Sequence, residues 1–185
     1  MSNKRKKINT TTITQIALFS ALQCVVSPFA IAFPFSPVPI SLATLMLYLS
    51  VYILGKNKSM ISCGIYLLIG LVGLPVFSGF TGGIGKLMGP TGGYLIGYLL
   101  LVFISGWFVE KWNSYFMQGI GMVIGTALCY FVGSFWLAYQ SHLNMKTALL
   151  SGMLPFLPGD VIKIVVGVLI GTAVRKRLRI AGMIE

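Results

Sequence analysis

Six apolar runs follow one another along this 185-residue chain, separated by short polar or glycine-rich connections. About 20 consecutive apolar residues cross the hydrocarbon of a bilayer as a helix. The runs lie at 13–32, 40–54, 59–77, 91–109, 115–139 and 160–174. The second and sixth are short, a mismatch that local bilayer thinning or extra turns can absorb. Hydrophobic residues make up 56% of the chain and charged ones 9%, against about 25% charged in a soluble domain. A soluble fold of this size cannot hide so much apolar surface. The expected fold class is an all-α integral membrane protein of six transmembrane helices, forming a single membrane domain over residues 1–185.

The net charge of +11 could point to nucleic acid, but the placement of the charges points to membrane lipid. Lys4, Arg5, Lys6 and Lys7 precede the first run, and Arg175, Lys176, Arg177 and Arg179 follow the last. With both termini cytoplasmic, these eight and Lys56, Lys58 and Lys111 all fall inside, whereas only Lys86 and Lys146 fall outside. That is a strong positive-inside bias, and it places the chain in the cell membrane with no nucleic-acid partner. The basic head resembles the start of a signal peptide, but the run behind it is long and five more follow. Cys24, Cys63 and Cys129 each sit within a run without metal-ligand spacing, so buried free thiols are expected and no metal or cofactor.

Proline supplies a second asymmetry. In this topology all eight prolines lie at or near the outer ends. Irregular backbone at membrane depth persists only where protein or a cavity satisfies its polar groups, so the extracellular loops are expected to be structured. The segment 73–93 carries this furthest. Between Pro75 and Gly93 it holds seven glycines, including Gly89, Gly92 and Gly93, interleaved with Phe77, Phe80 and Met88. Glycine allows close backbone approach to a ligand, and the apolar side chains fit a lid packed onto the bundle better than a solvated linker. It is not a phosphate loop: Gly85-Lys86 is followed by Leu87, and Phe80 stands where the first glycine belongs.

The second signal is Asp160 and Lys163, three residues apart and so on one helix face. The chain has only three acids, the others being Glu110 and Glu185, and ionisable groups within a span mark functional sites. A carboxylate acceptor beside a three-proton donor suits a small polar, anionic ligand; the structural alternative is a capping carboxylate with a snorkelling lysine. The second, fourth and sixth spans begin at the outer face, so their free N–H groups point there. Thr91 and Asp160 are expected to be N-caps. Tyr94 and Tyr98, with Trp136 and Tyr139, could wall an apolar pocket, though the last two equally suit interface anchoring.

Small residues four apart, Ala17/Ala21, Gly93/Gly97, Gly121/Gly125 and Gly167/Gly171, let helices approach closely. The three glycine seams are expected to hold the bundle together; the alanine seam offers a docking surface if it faces outward. Catalysis is undersupplied, since His142 is the one histidine and no carboxylate pair occurs. Nucleotide motif and inverted repeat are also lacking. A binder without an engine implies a partner that has one.

Gly-Leu-Pro-Val-Phe-Ser-Gly-Phe, Gly-Pro-Thr-Gly-Gly-Tyr and Pro-Phe-Leu-Pro-Gly-Asp-x-x-Lys together resemble the BioY family, the biotin-specific S components of energy-coupling factor (ECF) transporters. The resemblance covers nearly the whole chain and implies high-affinity capture of biotin from outside. A transmembrane T protein and two cytoplasmic ATP-binding subunits would then drive release inward. It implies contact of Ala17 and Ala21 with the T protein, and Asp160 and Lys163 as polar anchors. Asp160 can accept a ureido N–H; Lys163 can meet the ureido carbonyl or the carboxylate. Gly89, Thr91, Gly92, Gly93 and Tyr94 would border the ligand, with Phe77, Phe80, Phe35 and Ser36 closing over it. An S component for another vitamin, a solitary carrier and a membrane enzyme are the competing readings.

Overall fold

A computed structural model describes residues 10–31 and 38–182. Lys4 to Lys7, Phe35, Ser36 and Glu185 lie outside that range. The element order is α1 (Thr10–Val26), β1 (Ala30–Ile31), β2 (Ile40–Ser41), α2 (Ala43–Leu54), α3 (Lys56–Leu71), α4 (Ile84–Met88), α5 (Gly92–Lys111), α6 (Tyr115–Gln140), α7 (Met145–Gly152) and α8 (Leu157–Ile180). α5, α6 and α8 are each long and apolar enough to cross a membrane. The other large helices are shorter, at 17 residues for α1, 12 for α2 and 16 for α3. Helices α4 and α7 and the antiparallel pair β1–β2, with Ala30 opposite Ser41, lie in connections that the prolines and glycines mark as structured. The structure also corrects the expected start of the last helix. It begins at Leu157 with Pro158 in its first turn, so Phe156 and not Asp160 holds the N-cap position. Thr91 does occupy that position on α5, but its side chain makes no capping hydrogen bond.

Glycine sets how closely the helices pack. A Cβ at Gly93 or Gly97 would overlap Trp136 or Cys129 on α6, and one at Gly121 would overlap Phe108 on α5. A Cβ at Gly171 would strike the Tyr52 ring, and one at Gly167 would crowd Tyr48. The first three positions and Gly125 bring α5 onto α6; the last two bring α8 onto α2. The Tyr52 hydroxyl then donates to Gln118 Oε1 at 3.0 Å and the Tyr48 hydroxyl meets Thr126 Oγ1 at 2.5 Å, tying α2 to α6. α1 packs on α2 and α3, and Ala17 and Ala21 are on its exposed side.

The two ends of the bundle differ. At one, Gly55 turns the chain with φ of +76° and the Glu110 carboxylate accepts from the Lys56 backbone N–H at 2.6 Å, capping α3. Arg175 donates to the Val109 carbonyl nearby at 3.3 Å. The opposite end is built by the glycine-rich segment, which is folded as its composition suggests. Phe77 and Thr81 form a bridge, and Phe77 is fully buried, edge-on to Tyr66 at 5.5 Å and above Gly70. Gly79 donates to the Pro28 carbonyl and Gly83 to the Gly70 carbonyl. Burial holds the Lys86 ammonium of this segment below its usual pKa.

Overpacking a helix seam costs about 1–3 kcal/mol. Gly121→Leu and Gly171→Leu should therefore lower the thermal unfolding midpoint in detergent, and Gly64→Leu, whose Cβ would meet nothing within 4 Å, should leave it unchanged. Equal midpoints for all three would show that these seams do not set the packing.

Candidate ligand site

Pro158 fits the first turn of α8 because its missing N–H would have no partner there. The turn it starts carries Asp160 into the bundle, where the residue is 5% exposed. Lys163, one turn on, places Nζ 2.9 Å from Asp160 Oδ1. Lys163 Nζ also donates to the Ser41 carbonyl at 2.6 Å and to Thr44 Oγ1 at 3.3 Å, so all three of its protons are placed. The Thr44 hydroxyl in turn donates a hydrogen bond to Asp160 Oδ1 at 3.4 Å. The remaining oxygen, Oδ2, accepts from the Tyr130 hydroxyl. Four elements thus meet on one ion pair: β2 through Ser41, α2 through Thr44, α6 through Tyr130, and α8 itself. A buried ion pair is tolerated only when its leftover lone pairs and protons are satisfied in this way.

The pair borders a small cavity of about 50 Å³, walled by Val38, Pro39, Tyr94, Tyr98, Cys129 and Phe156. Its surface is mostly apolar with a smaller polar share, as in most ligand pockets. Ser41 also lines a larger surface hollow of about 450 Å³, whose other walls include Pro28, Phe29, Leu42 and Phe80.

Of the residues singled out in the sequence, the structure gathers Asp160, Lys163, Tyr94 and Tyr98 at this cavity. Tyr94 contributes its ring only, since its hydroxyl donates to the Gly152 carbonyl at 3.0 Å and sits 3.2 Å from Ser134 Oγ. Gly92 and Gly93 lie two residues and one residue before it, packed against Leu87 and Trp136 respectively. Thr91 is buried beside them. The Gly89 carbonyl accepts from the Trp136 indole at 2.9 Å. These four support the cavity wall without lining it. Phe77 belongs to the core. Phe80 is 60% exposed and stands edge-on to Phe29 at 5.4 Å, in the outer hollow. Tyr139 is 73% exposed and lines neither.

Sequence reasoning missed Tyr130, Thr44 and Ser41. Tyr130 did carry a signal: a phenol in the middle of a span must find a hydrogen-bond partner within the protein, and the chain's one in-span acid is the natural acceptor. Thr44 and Ser41 carried none, because hydroxyls near a span end are ordinary.

The BioY family profile matches residues 1–180. The biotin transporter BioY of Thermotoga maritima is 37% identical over 164 residues, covering 89% of this chain and 95% of that protein. The biotin transporter BioY of Lactococcus lactis is 36% identical over 149 residues, covering 77% and 78%. A solved structure described as the S-component for biotin from an ECF-type ABC transporter superposes with a TM-score of 0.84 at 34% identity, over 95% of both chains. With the same fold over that length, and a match that takes in both the glycine-rich segment and the Asp160–Lys163 turn, this chain belongs to the BioY family.

Proposed function

We propose that the protein is the biotin-capturing S component of an ECF-type vitamin importer. Its site faces outward, its termini lie in the cytoplasm, and six helices, α1, α2, α3, α5, α6 and α8, cross the membrane. The buried Asp160–Lys163 pair beside an apolar cavity carries this reading, because it matches the chemistry of biotin. Two ureido N–H groups need acceptors, the ureido carbonyl and carboxylate need donors, and the fused rings and chain need apolar walls. Asp160 accepts a ureido N–H, and Lys163 turns a proton from the Ser41 carbonyl to one of the ligand's oxygens. The cavity is too small for a bicyclic vitamin, so binding must widen it. Ser41 lines both the cavity and the outer hollow, so the lip formed by Val38, Pro39 and Ser41 is the natural part to move.

The orientation is supported by the charges. Lys56, Lys58, Lys111 and the basic residues of the last turns of α8 share the end opposite the site, as the positive-inside rule requires of a cytoplasmic end. The exposed Ala17/Ala21 face on α1 supports docking of a transmembrane T protein, through which two ATP-binding subunits supply the energy this chain lacks.

Equilibrium titration of the purified chain should show saturable biotin binding that neither thiamin nor riboflavin competes away. Removing one partner of a desolvated charge pair costs about 2–5 kcal/mol, ~30-fold or more in affinity. Asp160→Asn and Lys163→Ala should each weaken binding by at least that factor while eluting as folded protein. Unchanged affinity in both would remove the pair from the site, and thiamin or riboflavin binding in place of biotin would reassign the vitamin.

Tyr130→Phe deletes one hydrogen bond to a charged group, worth about 1.5–3 kcal/mol. It should weaken biotin by roughly tenfold or more, and wild-type affinity would show that Tyr130 does not hold Asp160 for the ligand. Ala17→Trp should abolish co-purification with the T protein and leave the biotin titration untouched; a complex that survives it would place the docking face elsewhere.

A further inference from the structure

A further concave feature lies on the flank between α6 and α8, away from the vitamin cavity. These two helices meet less closely than α8 meets α2. Gly119 leaves the gap: a Cβ there would meet nothing nearer than Val168 at 4.0 Å. The result is an apolar groove of about 600 Å³, with Phe116, Val123 and Ile124 on one wall and Val161, Val165 and Leu169 on the other. All six side chains are 40% exposed or more. From Phe116 to Ile124 the wall rises about 12 Å, close to the ~15 Å hydrocarbon depth of one leaflet.

The groove does not end blindly. Tyr115 lines both it and a pocket of about 250 Å³ at its mouth, on the end of the bundle opposite the vitamin site. Three cations of α8, Arg175, Lys176 and Arg179, line that pocket, together with Asn113 just before the positive end of α6. Lys56, Lys58, Lys111 and Arg177 lie at the same end. Glu110 is the one described carboxylate there, and it already accepts from the Lys56 backbone N–H. The mouth is therefore built for an anion, and the groove behind it for a hydrocarbon chain.

We propose that the α6–α8 groove and its basic mouth hold one anionic phospholipid, with an acyl chain between the helices and the phosphate on Arg175, Lys176 and Arg179. Basic pockets at the cytoplasmic ends of transmembrane helices take lipid head groups for the same electrostatic reason. A second copy of this chain fits less well, because in the same membrane orientation it would bring its own cations to the same level. The partner face proposed above is on α1, which packs against α2 and α3. The lipid site rests on the proposed orientation only for its leaflet, the cytoplasmic one.

Native mass spectrometry of the full chain, exchanged into phosphatidylglycerol and phosphatidylcholine of identical acyl chains, tests this. One phosphatidylglycerol should be retained and phosphatidylcholine lost. The triple variant Arg175→Gln, Lys176→Gln, Arg179→Gln should reduce retention at least tenfold. The charge-matched control Lys58→Gln, Lys111→Gln, Arg177→Gln should keep it. Gly119→Leu should expel the lipid with every cation in place. Equal retention of both lipids, retention by the triple variant, or no effect of Gly119→Leu would overturn the proposal, as would a dimer that Gly119→Leu dissolves. A parallel biotin titration separates the two sites: a chain that keeps the lipid but binds no biotin refutes the vitamin assignment alone.

Discussion

Burying the Asp160–Lys163 pair removes two charges from water, at a penalty of several kcal/mol per ion unless every remaining hydrogen-bonding position is filled. Here they are filled by groups from separate elements: the Ser41 carbonyl at the end of the β ribbon, the Thr44 hydroxyl in the first turn of α2, and the Tyr130 hydroxyl in the middle of α6. The pair can exist only if α2, α6 and α8 approach within side-chain reach at that level. Gly167 and Gly171 provide the approach of α8 to α2, and Tyr48 and Tyr52 fasten α2 to α6 one and two turns deeper. The same contacts that assemble the bundle thus hold the charged site in register.

The features legible in the sequence were those for which lipid leaves few alternatives. An acid and a lysine three apart in the otherwise uncharged run 160–174 stand out because such residues are costly there, and the structure pairs them. A glycine-rich stretch laced with phenylalanines reads as packed backbone, and its hydrogen bonds to Pro28 and Gly70 bear that out. The seams Gly93/Gly97, Gly121/Gly125 and Gly167/Gly171 all lie at helix contacts. Helix faces were less legible. In a soluble helix, polarity marks the outward side, whereas here lipid-facing Val161 and core-facing Val168 are both apolar, so periodicity carries little information. That is why Tyr130, which faces inward, and Tyr139, which faces out, could not be told apart by spacing. Helix starts were hidden for a local reason. Pro155 and Pro158 both look like boundaries, and the helix begins between them, which moves Asp160 from a cap into the first turn.

Charge organises the long axis as hydrophobicity organises the cross-section. The end carrying Lys56, Lys111 and Arg175 is held by backbone-directed bonds, Glu110 to the Lys56 N–H and Arg175 to the Val109 carbonyl. Those contacts clamp the termini of α3, α5 and α8 together. At the other end the chain departs from plain helix, with the β ribbon, α4 and α7 all lying between spans. Charge-directed contacts are therefore concentrated at the basic end, and irregular backbone at the end that carries the Asp160–Lys163 pair.

Every proton of Lys163 and both oxygens of Asp160 have partners within the protein. Binding is then an exchange of hydrogen bonds, and the net gain per exchanged bond is only about 0.5–1.5 kcal/mol. In the binding mode proposed above, affinity comes chiefly from the apolar walls, from Tyr98, Phe156 and the ring of Tyr94. The polar groups contribute discrimination. A ligand that opens the lip without replacing the Ser41 carbonyl on Lys163 leaves a buried cation short of an acceptor, a penalty of about 1–3 kcal/mol or more for a charged group. In that mode a solute of the right shape but lacking a matching oxygen and N–H is rejected by what it fails to replace, and selectivity follows from the hydrogen bonds already made in the cleft.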